Sequence, residues 1–179
     1  MLKESFLIRP MQSSTDLLRI ISRFSFPWST PAKTQAIWET YHQEQEEGVR
    51  TIFVIEKQNE ILGYGSLLRK SENPTFNRLN IPEVNAIWID ETCRRQGLGK
   101  ALIQSIENFA FEEGYHKIGI GVGLYRDYGP AQRLYFRLGY IPDGSGITYK
   151  GLSTKPGQSY LLDDDLLLWL VKSLIPKKP

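Results

Sequence analysis

The chain has 179 residues, 41% of them apolar, with 22 basic and 20 acidic side chains and a net charge of +2. That composition supports a folded core and speaks against a general nucleic-acid footprint, which needs a strongly basic surface. A single cysteine, Cys93, excludes an intramolecular disulfide framework.

The first ten residues, MLKESFLIRP, lack the shape of a signal peptide, and the apolar block Leu166–Val171 is far too short to span a bilayer. The expectation is a cytoplasmic protein with no membrane partner. Residues 1–175 are expected to form one domain, with 176–179 a frayed tail.

In chain order, residues 5–8 read as a short strand stopped near Pro10. Leu17, Leu18, Ile20 and Ile21 give residues 12–23 a helical period. The stretch FSFPWSTP, residues 24–31, breaks that helix with two prolines. Ser29 or Thr30 caps the next helix, with Pro31 at its first position, and Gly48 ends it. TIFVIE (51–56) and ILGYGSLL (61–68) read as strands joined by a turn at Gln58-Asn59. Residues 70–83 read as a polar loop. VNAIWI (84–89) reads as a strand buried on both faces.

A helix follows, with Leu98, Ala101, Leu102, Ile106, Phe109 and Ala110 on one face and Gly114 at its end. Residues 117–122 form the next strand, and Pro130 opens a helix that Gly139 closes. Residues 140–149 mix strand and loop, and 166–171 form a last strand. The order predicts an α/β (α+β) fold: a mixed central β-sheet flanked by helices.

RRQGLGK, residues 94–100, stands between the apolar strand and the amphipathic helix. A helix N-terminus carries unpaired amides and partial positive charge, which together favour a phosphate. Gly97 and Gly99 let an anion approach the backbone, and Arg94, Arg95 and Lys100 add charge. Two nucleotide patterns fail. Ala101 stands where a P-loop needs Ser or Thr, and Leu102 stands where a dinucleotide fingerprint needs its third glycine.

R-x-x-G-x-G at Arg94, Gly97 and Gly99 resembles the acyl-CoA pyrophosphate loop of the GNAT-type N-acetyltransferases. AQRLYFRLGY, residues 131–140, resembles that superfamily's A-x-x-L-Y-x-x-x-G-[FY] helix. The two motifs stand in the family's order and spacing, and the resemblance covers residues 51–140 well. It implies the acyl-CoA N-acyltransferase (GNAT) fold and acetyl transfer from acetyl-CoA to a primary amine of a small molecule or peptide. The amine attacks directly, with no metal and no enzyme nucleophile. The alternative is a non-catalytic acyl-CoA-binding or regulatory module of the same fold.

The resemblance also implies residue roles. Acetyl-CoA is expected on Arg94, Arg95, Gln96, Gly97, Leu98, Gly99 and Lys100. Backbone N–H groups of Ile87, Trp88 and Ile89 would face the thioester oxyanion. Glu83 is the candidate general base and Tyr135 the candidate proton donor to the thiolate. Tyr128 stands where many family members have an asparagine on the pantetheine arm. The run YRDYGP (125–130) offers Tyr125, Arg126 and Tyr128 to the cleft, with Asp127 a second base candidate.

Other residues read as ordinary structure. Cys93 has no histidine partner, and His42 and His116 form no metal cluster with it. Asp163-Asp164-Asp165 reads as a charged turn. Phe26 and Trp28 serve as acceptor-site walls or core packing. The acidic patch Glu44, Glu46 and Glu47 hints at a cationic acceptor, and a solvated helix face explains it equally well. A monomer or homodimer is expected, with the final strand available for pairing.

Overall fold

Local signals account for most of the elements in the computed structural model, which describes residues 6–24 and 29–174. β1 (Leu7–Pro10) leads into α1 (Ser13–Arg23) and α2 (Pro31–Glu46). Thr30 Oγ1 accepts the Lys33 amide at 3.3 Å and Pro31 opens α2, so the cap satisfies one of the helix's orphan donors. β2 (Arg50–Lys57) and β3 (Glu60–Leu68) form an antiparallel hairpin. Gln58 (φ 49°) and Asn59 (φ 65°) are both left-handed, as a tight two-residue hairpin turn demands.

α3 (Pro74–Arg78) lies where a plain loop is expected. Asn73 Oδ1 accepts the amides of Thr75 at 2.8 Å and Phe76 at 3.2 Å, and Pro74 sits at the helix start. The capping signal was in the sequence; five residues are too few to show a helical period. Then follow β4 (Glu83–Ile89), a single 3-10 turn (Glu91–Cys93), α4 (Leu98–Glu112), β5 (Lys117–Gly123), a second such turn (Arg126–Tyr128), α5 (Gly129–Arg137), β6 (Ile141–Tyr149), β7 (Leu152–Ser153) and β8 (Leu166–Ser173).

The eight strands form a mixed sheet in the order β1-β2-β3-β4-β5-β8-β6-β7, flanked by helices, as the sequence predicts. β4 and β5 run parallel, with the register Glu83↔Gly119 and Val84↔Ile120. Two expectations are corrected. β4 is fully buried only at Glu83 and Val84, and its remaining residues are half-exposed. β8, the final strand, is no free edge: it pairs with β5 on one side and β6 on the other. β1 and β7 stand at the ends of the strand order.

By packing, the chain divides into two compact units. The first comprises residues up to Leu68 and Ala86–Ile106, the second Arg69–Asn85 and residues from Glu107 onward. The core of the first gathers Met11, Ile20, Phe24, Trp38, Ile52, Val54, Ile61 and Tyr64. Arg9, Asp16, Arg19 and Glu56 tie β1, α1 and β2 together: Asp16 takes Arg9 at 2.6 Å and Arg19 at 2.9 Å. The Arg9 hydrogen bond, first among several causes, holds the Asp16 carboxyl below its usual range. The core of the second unit centres on Phe76, Ile81 and Trp169, with the Trp169 indole donating to Thr148 Oγ1 at 2.8 Å.

Candidate functional site

Within the first unit, the arginine-glycine segment forms the turn that starts α4. The first i→i−4 bond of the helix runs from the Ala101 amide to the Gly97 carbonyl at 3.0 Å. The amides of Leu98, Gly99 and Lys100 precede it and have no intrahelical acceptor. Gly97 is left-handed, at φ 87°, and a Cβ there would meet nothing within 4 Å. Its glycine is therefore a conformational need, not a steric one. Arg95 is also left-handed, at φ 62°. Gln96, Gly97 and Lys100 are exposed and Leu98 is buried, so the backbone faces outward while the first apolar side chain anchors the helix.

Arg94 does something the motif alone does not reveal. Its Nε donates to the Ile89 carbonyl at 3.0 Å, and its guanidinium lies 5.0 Å from the centre of the Trp88 ring. A longer contact of 3.4 Å reaches Glu91. The side chain thus straps the turn to the end of β4. Asp90 anchors the same corner. It accepts from the Thr92 amide and hydroxyl and pairs with Arg23 at 3.0 Å. The Thr92 hydroxyl is the leading cause of its lowered pKa.

Ile87, Trp88 and Ile89 follow Ala86, which is left-handed at φ 52° in the middle of β4. For a residue with a Cβ this costs on the order of 1 kcal/mol or more, and such strain concentrates at working positions. Nothing in the sequence marks it, because alanine carries no preference for that conformation. The Ile87 side chain packs over Gly65 and the Trp88 carbonyl over Gly63, both on β3.

Within the second unit, Glu83 is buried, at 5% exposure, rather than solvated at a strand end. Ser71 Oγ donates to its Oε2 at 2.6 Å and Asn85 Nδ2 to its Oε1 at 2.8 Å. Tyr135 is also buried. Its pKa is pushed up to about 12 by burial alone. No hydrogen bond holds its hydroxyl among the described residues, so a protonated donor is present and uncommitted.

Tyr128 packs its ring on Gly123 at the end of β5, where a Cβ would come within 2.4 Å of it. Its hydroxyl donates to Asp164 Oδ1 at 3.0 Å, and Tyr125 donates to the same oxygen. The bond to Asp164 leads the causes that push Tyr125 up to about 12, whereas burial leads for Tyr128, which is also raised. In the sequence Asp164 belongs to a charged turn; its two phenol partners stand 36 and 39 residues away and no local pattern marks them. Arg126 and Asp127 are exposed.

The remaining candidates separate. Glu44 is taken by Arg50 at 2.6 Å and Glu47 accepts from Gln43 at 2.9 Å, while Glu46 lies 3.9 Å from His42. Cys93 lies 3.6 Å from the Thr92 hydroxyl, and His116 is exposed. Among the described residues no three His, Cys, Asp or Glu side chains gather as a metal site. Likewise, no described helix is long and apolar enough to cross a membrane. Phe26 and Trp28 lie outside the described residues.

A sequence model of the acetyltransferase (GNAT) family matches residues 15–140. No curated protein matches the chain. Many solved structures share the fold. An N-acetyltransferase from Staphylococcus aureus Mu50 aligns at TM-score 0.66 and 19% identity, over 96% of this chain and 99% of that one. The ribosomal-protein-S18-alanine N-acetyltransferase of Escherichia coli aligns at 0.64 and 19%, over 95% and 94%. A GNAT family acetyltransferase from Elizabethkingia anophelis with acetyl-CoA bound aligns at 0.61 and 17%, over 96% and 100%.

Proposed function

Because the chain belongs to the GNAT acetyltransferase family, we propose that it moves an acetyl group from acetyl-CoA to a primary amine. The observation that carries this reading is the bare start of α4. Three amides without intrahelical acceptors, behind a left-handed Gly97, form a cradle for a diphosphate. Arg95 and Lys100, both exposed, supply charge beside them, and Arg94 keeps the turn in place.

The chemistry balances without a further reactant. The amine nitrogen attacks the thioester carbon, and the oxyanion that forms accepts from backbone amides of Ile87–Ile89. The C–S bond breaks, giving an N-acetyl amide and free CoA thiol. We assign the amine's proton to Glu83, by way of water, because both of its oxygens already accept hydrogen bonds. The proton returned to sulfur is assigned to Tyr135, whose hydroxyl is uncommitted. A module that only binds acyl-CoA would have no use for that free phenol. Tyr128, its hydroxyl engaged by Asp164, contributes to pantetheine through its ring rather than as a hydrogen-bond donor.

The test is a calorimetric titration with acetyl-CoA, followed by an amine screen read as thiol release. Binding with amine-dependent release supports the proposal. Binding without release for any amine leaves the binding-module alternative standing, and no binding ends both.

A further inference from the structure

The first unit holds a cavity of about 230 Å³ lined by Ser29, Lys33, Ile37, Trp38, Tyr41, Tyr64 and Ala86. Ala86, which helps line it, is the strained residue that precedes the β4 amides assigned to the oxyanion. An apolar cavity of ~150 Å³ takes up a benzene ring, so this one has room for an aryl group with substituents. Its walls are aromatic. Trp38 meets Tyr64 edge to face at 4.7 Å and Tyr41 at 5.6 Å.

The charge around the cavity is one-sided. No carboxylate lines it among the described residues, and the Lys33 ammonium has no ion-pair partner among them. One of these aromatic faces already holds a cation: the Arg50 guanidinium sits 4.0 Å from the centre of the Tyr41 ring. Glu44, in the same helix as Tyr41, is held by that same arginine. Tyr64 is 5% exposed, yet its hydroxyl takes no hydrogen bond among the described residues. Burial raises its pKa, so it remains a donor at any physiological pH. A polycation would find here no counter-ion and a repelling lysine. An apolar body carrying an acid would find aromatic walls, an ammonium and a phenol donor.

We propose that the acceptor is a small primary amine bearing an aryl or branched-alkyl body and an acidic group, seated in the Trp38–Tyr41–Tyr64 cavity with its acid toward Lys33. This rests on the transferase reading and narrows it, displacing the cationic acceptor hinted at by Glu44, Glu46 and Glu47.

The experiment uses the full chain with acetyl-CoA and four probes: L-phenylalanine, phenethylamine, spermidine and kanamycin. The expected kcat/KM is highest for L-phenylalanine, about tenfold above phenethylamine, which lacks the carboxylate, and further above both polycations. Lys33→Gln is expected to remove most of the advantage of L-phenylalanine over phenethylamine. Ile37→Asp places a carboxylate at an exposed lining position, 46% exposed, and is expected to shift preference toward spermidine. Calorimetry with N-acetyl-L-phenylalanine on CoA-loaded protein gives a readout that needs no turnover. Equal or better use of spermidine or kanamycin overturns the inference, as does indifference to Lys33→Gln or the absence of heat from N-acetyl-L-phenylalanine. In those cases acetyl-CoA binding still stands. Absence of heat from acetyl-CoA itself overturns the transferase reading instead.

Discussion

The turn at residues 94–100 and the buried pair Glu83 and Tyr135 are built on opposite principles. The turn, as proposed, would act through backbone amides on an exposed corner, and every group it needs lies within seven residues. In the roles proposed for them, Glu83 and Tyr135 would act through side chains that are 5% and 7% exposed, and what they can do depends on partners elsewhere in the chain. Glu83 has both oxygens occupied by donors from Ser71 and Asn85, whereas the Tyr135 hydroxyl has no hydrogen-bond partner among the described residues. An anion grip is a local property of a helix start; an acid or base is a property of an environment.

Substitutions separate the two. The largest effect is expected from Tyr135→Phe: a fall in kcat of about a hundredfold or more, with acetyl-CoA affinity unchanged. Because no partner is lost, melting temperature should hold, and a joint fall in stability and turnover would assign Tyr135 to packing. Next is Gly97→Val, which forces a β-branched residue into a left-handed conformation. A strain of roughly 1–2 kcal/mol predicts acetyl-CoA affinity weaker by about tenfold, read by calorimetry. Unchanged affinity would sever the turn from the ligand.

Glu83→Gln sharpens the contrast from the other side. A glutamine amide would point a donor at Ser71 or Asn85, so a stability loss of about 1–3 kcal/mol accompanies any loss of turnover. Its diagnostic reading is the pH profile of kcat, which should lose its acidic limb; a profile of unchanged shape removes Glu83 from proton transfer. Arg94 and Arg95 should differ more subtly. Arg94→Gln should lower melting temperature along with a few-fold loss of affinity, because it unties Ile89 and Trp88. Arg95→Gln should cost only a few-fold in affinity, more at low salt than at high.

A separate effect is on alkaline stability. Tyr135 is raised to about 12 in the folded chain, above its ordinary value near 10. Between those values the unfolded chain releases its proton while the folded chain keeps it. The contribution is therefore complete below pH ~10 and is lost as pH climbs to about 12, by roughly 2–3 kcal/mol. Tyr135→Phe should be less sensitive to alkali over that interval, and equal sensitivity would mean that the phenol titrates normally.

The sequence by itself determined the strands other than β7, the caps, the arginine-glycine turn and the two motifs that led to the family. Thr30, Pro31, Gln58-Asn59 and Gly97 act on their immediate neighbours, so their effect is legible at short range. The tertiary structure decided the rest. It placed β8 between β5 and β6, tied Arg94 to the Ile89 carbonyl and the Trp88 ring, and buried Glu83 under two donors. It also strained Ala86 and joined Asp164 to Tyr125 and Tyr128 across 39 and 36 residues. Hydrogen-bond partners, burial and charge pairing depend on distance in space, and one chain position carries no record of which distant residue will stand beside it.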